Sequence, residues 1–155
     1  SRIAPCRCPA QQIQRYRNRI SGPMLDRIDI HVEMGEVGYN DIAGRSCGEP
    51  SSAIRARVNA ARAIQTRRYA GMGILFNAQL TNRMMNQYCV LTSDAEALMK
   101  KAFAALKLSA RAYTRLLKVS RTIADLAGSE QIKAEHIAEA IQYRSLESKY
   151  WGEIR

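Results

Sequence analysis

A chain of 155 residues, 46% hydrophobic and 25% charged, has the size and composition of one globular domain or a piece of a larger protein, which excludes a disordered chain. No apolar run approaches the roughly 20 residues of a transmembrane helix, and no signal-peptide core is present, so no membrane partner and a cytoplasmic location are expected. Lysine and arginine outnumber aspartate and glutamate by 24 to 14, and the net charge of +10 suits a polyanion: nucleic acid, nucleotide phosphates or an acidic protein surface.

The chain opens on Ser1 rather than Met, and a coherent pattern begins almost at once, as expected of a piece excised from a longer protein. Cys6 and Cys8 stand one residue apart and supply half of the thiolates a structural zinc site takes; Cys47 and Cys89 are isolated. Disulfides are not expected in a reducing compartment. Pro9 to Arg19 predicts a short helix, with Ile13 and Tyr16 on one side and arginines around them. Ser21-Gly22-Pro23 breaks it, and a turn through Met24 and Leu25 leads to an alternating run. Ile28, Ile30, Val32 and Met34 fall on one face of a predicted strand, with Asp29, His31 and Glu33 on the other. The stretch GEVGYNDIAGRSCGEP that follows is rich in glycine and polar residues and reads as a linker, with a domain boundary near Cys47 to Pro50.

From Ser51 the pattern is helical throughout. One helix runs to about Arg68 with Ile54, Val58, Ala61 and Ile64 along one side, and a shorter one starts near Thr81. Ser93-Asp-Ala-Glu96 has the form of a capping box opening a helix to about Leu106. Ser109 caps the next helix, which ends at Gly128, and a last helix covers Ala134 to about Ser148, carrying His136. The second half is therefore an all-helical bundle and the first the tail end of something with a sheet, an α+β chain that is mainly α.

Two features carry chemistry. Arg27 stands between Asp26 and Asp29 where the turn gives way to the strand, a usual place for a functional side chain on a rigid element; a surface ion pair with either aspartate is the plainer reading. On the helix from Ser109, residues Arg111, Arg115, Lys118, Thr122 and Asp125 recur at spacings of three and four and form one stripe. Arg111 lies in the first turn, where the helix dipole disfavours a cation unless an anion is near, so it is suited to meeting a phosphate; a solvated basic face is the plainer reading here too.

Taken together, RISGPMLDRIDIHVE, LSARAYTRLLKVSRTIADLAG and IKAEHIAEAIQYR resemble the C-terminal part of the magnesium-chelatase-like AAA+ ATPases, and CRCPAQQIQRYRNRISGPMLDRIDIHVE is closest to the competence-protein ComM type within them. The resemblance covers nearly the whole chain. It implies that residues 1–47 are the end of an AAA+ αβα core and residues 48–155 a helical lid. It implies Arg27 as an arginine finger acting in trans, Arg111 as the sensor-2 residue with Arg115 a second candidate, and Cys6 with Cys8 as half of a four-cysteine zinc cluster. ATP and Mg²⁺ become the expected cofactors, with Zn²⁺ completed by upstream cysteines. Identical subunits in a hexameric ring and DNA become the expected partners. The G-x-x-x-x-G-K-[ST] loop and a Walker-B acidic strand end are absent from these residues, so the chain alone is expected not to hydrolyse ATP. A chelatase subunit that drives metal into a porphyrin, and a stand-alone basic nucleic-acid-binding module, are the competing readings.

Overall fold

The computed structural model describes residues 7–25, 27–35, 37–43 and 48–144. Its contacts divide the chain into two units: one takes the described residues up to Gly48 together with Arg144, the other Glu49–Tyr143.

In the first unit, helix α1 spans Ala10–Arg17 within the predicted Pro9–Arg19. Pro9 at its N-cap leaves its carbonyl to accept the first bonds, and Asn18 closes it. A single turn, α2, covers Gly22–Leu25, and a second short helix, α3, covers Tyr39–Ala43 inside the stretch that reads as linker. The predicted strand over Ile28–Met34 is not formed: the segment has no ladder pairing, and Ile28, Ile30, Val32 and Met34 are exposed. A strand exists only by virtue of a neighbour that takes its backbone N–H and C=O groups, and no such neighbour occurs among the described residues. The apolar alternation is real; the sheet it would face is not among them.

The second unit is helical as expected. Helix α4 runs Ser51–Arg68, a 3₁₀ turn covers Asn77–Gln79, and α5 covers Asn82–Tyr88 with Thr81 as its cap. Helix α6 spans Ser93–Ala105, α7 spans Ala110–Leu126, and α8 spans Ala134–Gln142. The cap of α6 is Thr92, whose hydroxyl accepts from the Ala95 N–H, so N3 is Ala95 and the expected Ser93–Glu96 capping box is not formed. Ser109 caps α7 as predicted, accepting from the Ala112 N–H at 3.1 Å. That helix ends in a Schellman motif: Ser129 N–H donates to the Ala124 carbonyl, Gly128 N–H to that of Asp125, and Gly128 takes φ +66°. A side chain at Gly128 would be strained by its Cβ, which is why the sequence stops the helix there.

Helix α7 is the centre. It buries Ala112, Leu116, Leu117, Ile123 and Ala124, and packs on α8, α4 and the 3₁₀ turn, while α6 packs on α8. Tyr69, Leu80, Met85, Met99, Ile132 and Ile137 complete the core. Tyr69 and Tyr88 meet edge to face with centroids 5.4 Å apart. Each fully buried Leu or Ile here contributes about 1.5–3 kcal/mol. One parallel bridge, Leu91 with Ile132, ties the chain before α6 to the chain before α8 through Thr92 N–H to the Ile132 carbonyl and Ile132 N–H to that of Val90.

Candidate functional site

Arg27 follows α2 in the first unit. Leu25 is buried and anchors the turn, and bonds from Arg27 N–H to the Met24 carbonyl and Ile28 N–H to that of Leu25 carry it one residue further. The Arg27 side chain is exposed, and its Nη1 donates to the Pro23 carbonyl at 3.2 Å. One arm of the guanidinium is thus folded back over its own turn. Such a bond is weak against a carboxylate or phosphate. Asp26 lies outside the described residues.

Arg111 and Arg115 share α7 in the second unit. Arg111 is exposed on the first turn, beside the Ser109 cap, and Arg115 is half-buried one turn further on. The stripe they open does not continue as a solvated basic face. Lys118 Nζ donates to the Ala78 carbonyl at 2.9 Å, Thr122 Oγ1 accepts from Asn77 Nδ2 at 3.0 Å, and Asp125 is buried. Spacing placed these residues on one line correctly, but α4 and the 3₁₀ turn lie over its C-terminal half. Only Arg111 fully faces solvent.

The Asp125 carboxylate is the hub of a buried polar cluster that the sequence reading missed. It accepts from both guanidinium arms of Arg68, from Asn77 Nδ2 at 2.8 Å, from Gln65 Nε2 at 3.1 Å and from Arg121 Nε at 3.1 Å. Arg121, fully buried, also donates to the carbonyls of Ser129 and Glu130 just past the Schellman turn. Tyr69 Oη donates to Asn77 Oδ1 at 2.6 Å. Burial pushes the Asp125 carboxyl up, but hydrogen bonds from Arg68 and Asn77 and the charges of Arg121 and Arg68 outweigh it and hold the group below its ordinary value. Burial likewise pulls the Arg121 guanidinium down, opposed by Asp125. The cluster joins α4, the 3₁₀ turn, α7 and the chain after it. Apart from the partly exposed Arg68 it is buried, so its work is to fix helices rather than to meet a ligand. The signal that would have found it is Arg121 itself, an arginine four residues before an aspartate among Leu117, Ile123 and Ala124.

His136 is the third residue of α8. Its Nδ1 accepts from the Lys133 N–H at 3.0 Å, so the imidazole supplies the back half of a capping box where Lys133 brings no cap of its own. That bond requires the neutral ring with its proton on Nε2, 3.5 Å from a Glu135 carboxylate oxygen. As for zinc, Cys6 lies outside the described residues, Cys8 is exposed, and no group of three or more metal-ligating side chains occurs among the described residues. No helix is long and apolar enough to cross a membrane.

Residues 48–144 match the family described as magnesium chelatase, subunit ChlI C-terminal, and residues 1–42 match that described as magnesium chelatase, subunit ChlI. The chain is 43% identical over 141 residues to Competence protein ComM of Haemophilus influenzae, covering 90% of this chain and 27% of that protein. It is 40% identical over 142 residues to the uncharacterized protein YifB of Salmonella typhimurium and 38% identical over 143 residues to that of Escherichia coli, covering 91% of this chain and 27% of each relative. The chain thus spans about a quarter of the length of these curated relatives.

Proposed function

The chain belongs to the magnesium chelatase ChlI family, and on that premise we propose that it supplies the arginine finger and the sensor-2 lid of an AAA+ ATPase whose identical subunits form a hexameric ring acting on DNA. The observation that carries this reading is the exposed Arg111 on the first turn of α7, in the helical bundle that the family match covers. Residues 1–47 then close the ATPase core and residues 48–155 form the lid. ATP with Mg²⁺ supplies the phosphoryl group. Transfer of that group needs little covalent help from protein and much placement of positive charge. Arg111 binds phosphate oxygens from the lid side, with Arg115 one turn away, and the rigid α7 carries both. Arg27, exposed beside a turn that Leu25 anchors, reaches the nucleotide of the neighbouring subunit and neutralises charge there. The surplus of positive charge and a relative named for competence support DNA as the partner.

The test is ATP hydrolysis by the full-length protein with and without single-stranded and branched DNA. Strong stimulation is expected. The family description itself favours a second reading, a chelatase subunit driving metal into a porphyrin. Robust turnover indifferent to DNA would select it.

A further inference from the structure

The positive charge needs an outlet, and α7 does not provide one, since Lys118 is tied to Ala78 and Asp125 is buried. Helix α4 does. From Ser51 to Arg68 it carries five arginines and no carboxylate. Two of them are engaged: Arg57 lies in a bidentate pair with Glu49, and Arg68 turns inward to Asp125. Arg55, Asn59, Arg62 and Thr66 recur at spacings of four, three and four, which places them on one stripe, and all are exposed. Beside it, the Arg62 guanidinium lies 5.2 Å from the Phe76 ring centroid, and Phe76 keeps 39% of its surface exposed. Arginine, asparagine and threonine are the side chains that meet phosphate oxygens, and an exposed aromatic ring beside them is a stacking platform for a base. Arg55 and Arg62 are two helical turns, about 10 Å, apart, about three nucleotides of a stacked strand.

We propose that this face of α4, with Phe76, binds single-stranded nucleic acid: Arg55 and Arg62 hold phosphates and Phe76 stacks a base. The inference rests on the reading of DNA as partner and names the surface that meets it.

The 155-residue chain is titrated into a fluorescein-labelled 30-nucleotide oligothymidylate, and anisotropy is followed from 50 to 200 mM salt. Arg55→Gln with Arg62→Gln is expected to weaken binding about tenfold and to make the log–log salt slope shallower by about 1.4, two phosphates at about 0.7 each. Phe76→Ala is expected to weaken binding at least about fivefold with the slope unchanged; Phe76→Leu, which keeps apolar bulk, should do the same with the fold intact by circular dichroism. A charge-matched pair on α6, Lys100→Gln with Lys101→Gln, should leave both readouts near those of the parent. Equal losses from the two pairs would overturn the proposal in favour of net charge alone. Competition by polyglutamate as strong as by unlabelled oligonucleotide would overturn it in favour of an acidic protein. Parent binding that the α4 pair does not alter sinks the surface but not DNA as partner; no binding by the parent sinks both. DNA-indifferent ATP turnover by the full-length protein, with an α4-dependent slope retained here, sinks only the motor reading.

Discussion

The single negative charge of Asp125 faces two guanidinium groups, Arg68 partly exposed and Arg121 fully buried, and without the carboxylate the Arg121 charge would lie buried with no counter-ion in the cluster. Removing one partner from such a cluster costs about 3–5 kcal/mol, whereas a surface pair such as Arg57–Glu49 costs little. Asp125→Asn is therefore expected to lower the free energy of unfolding, measured by urea titration, by an amount in that range, and Glu49→Gln to leave it nearly unmoved. The pH sign follows from the direction of the shift. The carboxyl is held below its ordinary 3.8, so its stabilisation is complete above that value and is lost as pH falls through the lower folded value. The acid limb of the stability curve below pH 4 should accordingly flatten in Asp125→Asn. Cys89 makes a separate case: burial pushes its thiol up to about 11. At pH 8 iodoacetamide should modify the exposed Cys8 rapidly and Cys89 only after unfolding, as read by peptide mass mapping. Rapid native-state labelling of Cys89 would contradict the packing described.

Among the elements, helix boundaries in the second unit were legible because each has a local chemical cause. Ser109, Gly128 and Thr81 act where their types predict. Thr92 and Ser93 are adjacent candidates, and only the geometry decides between them. Thr92→Ala is expected to cost about 1 kcal/mol and Ser93→Ala a few tenths, measured by urea unfolding; the reverse order would restore the expected box. The start of α8 lies at Ala134 as expected, but its cap was not legible, since Lys133 carries no acceptor and the acceptor is supplied by a histidine. Burial pulls His136 below its ordinary 6.5, with Glu135 and Glu139 opposing and Lys133 and Arg121 adding to the depression. The unfolded chain thus takes up this proton first, and stability is full above pH 6.5 and declines below it, by at most about 1.4 kcal/mol per pH unit. His136→Gln, which keeps an acceptor at that position, should flatten the slope between pH 7.5 and 5.5. The stripe on α7 shows the limit of periodicity: it tells which residues align, but not what lies over them. Asp125 looked polar and outward until α4 and the 3₁₀ turn covered it.

For the whole molecule, the helical class of residues 48–144 could be read from hydrophobic period, caps and glycines, because those signals are local. The first unit could be read only in part. Helix α1 is where its pattern puts it, while the alternation over Ile28–Met34 names a partner sheet rather than a structure of its own. Arg27 sits in that unit and Arg111 in the other, and their proposed roles are tested in the full-length protein. In the full-length protein, Arg27→Ala is expected to leave ATP binding nearly unchanged and nearly to abolish turnover. Mixing it with a subunit lacking the Walker lysine should recover part of the activity, because each mutant supplies what the other lacks. Unchanged turnover in Arg27→Ala would remove the finger. Arg111→Ala should weaken nucleotide affinity or turnover; if both are unaltered, the lid does not sense nucleotide through this residue.

The bridge between Leu91 and Ile132 has an electrostatic consequence. It brings the starts of α6 and α8 to one point, so two helix ends, each worth about half a positive charge, stand side by side and repel. Asp94 and Glu96 occupy the first turn of α6, and Glu135 that of α8. In a chain with few acidic side chains, these three sit where the backbone itself is positive, and they relieve a repulsion that no count of ionisable residues records.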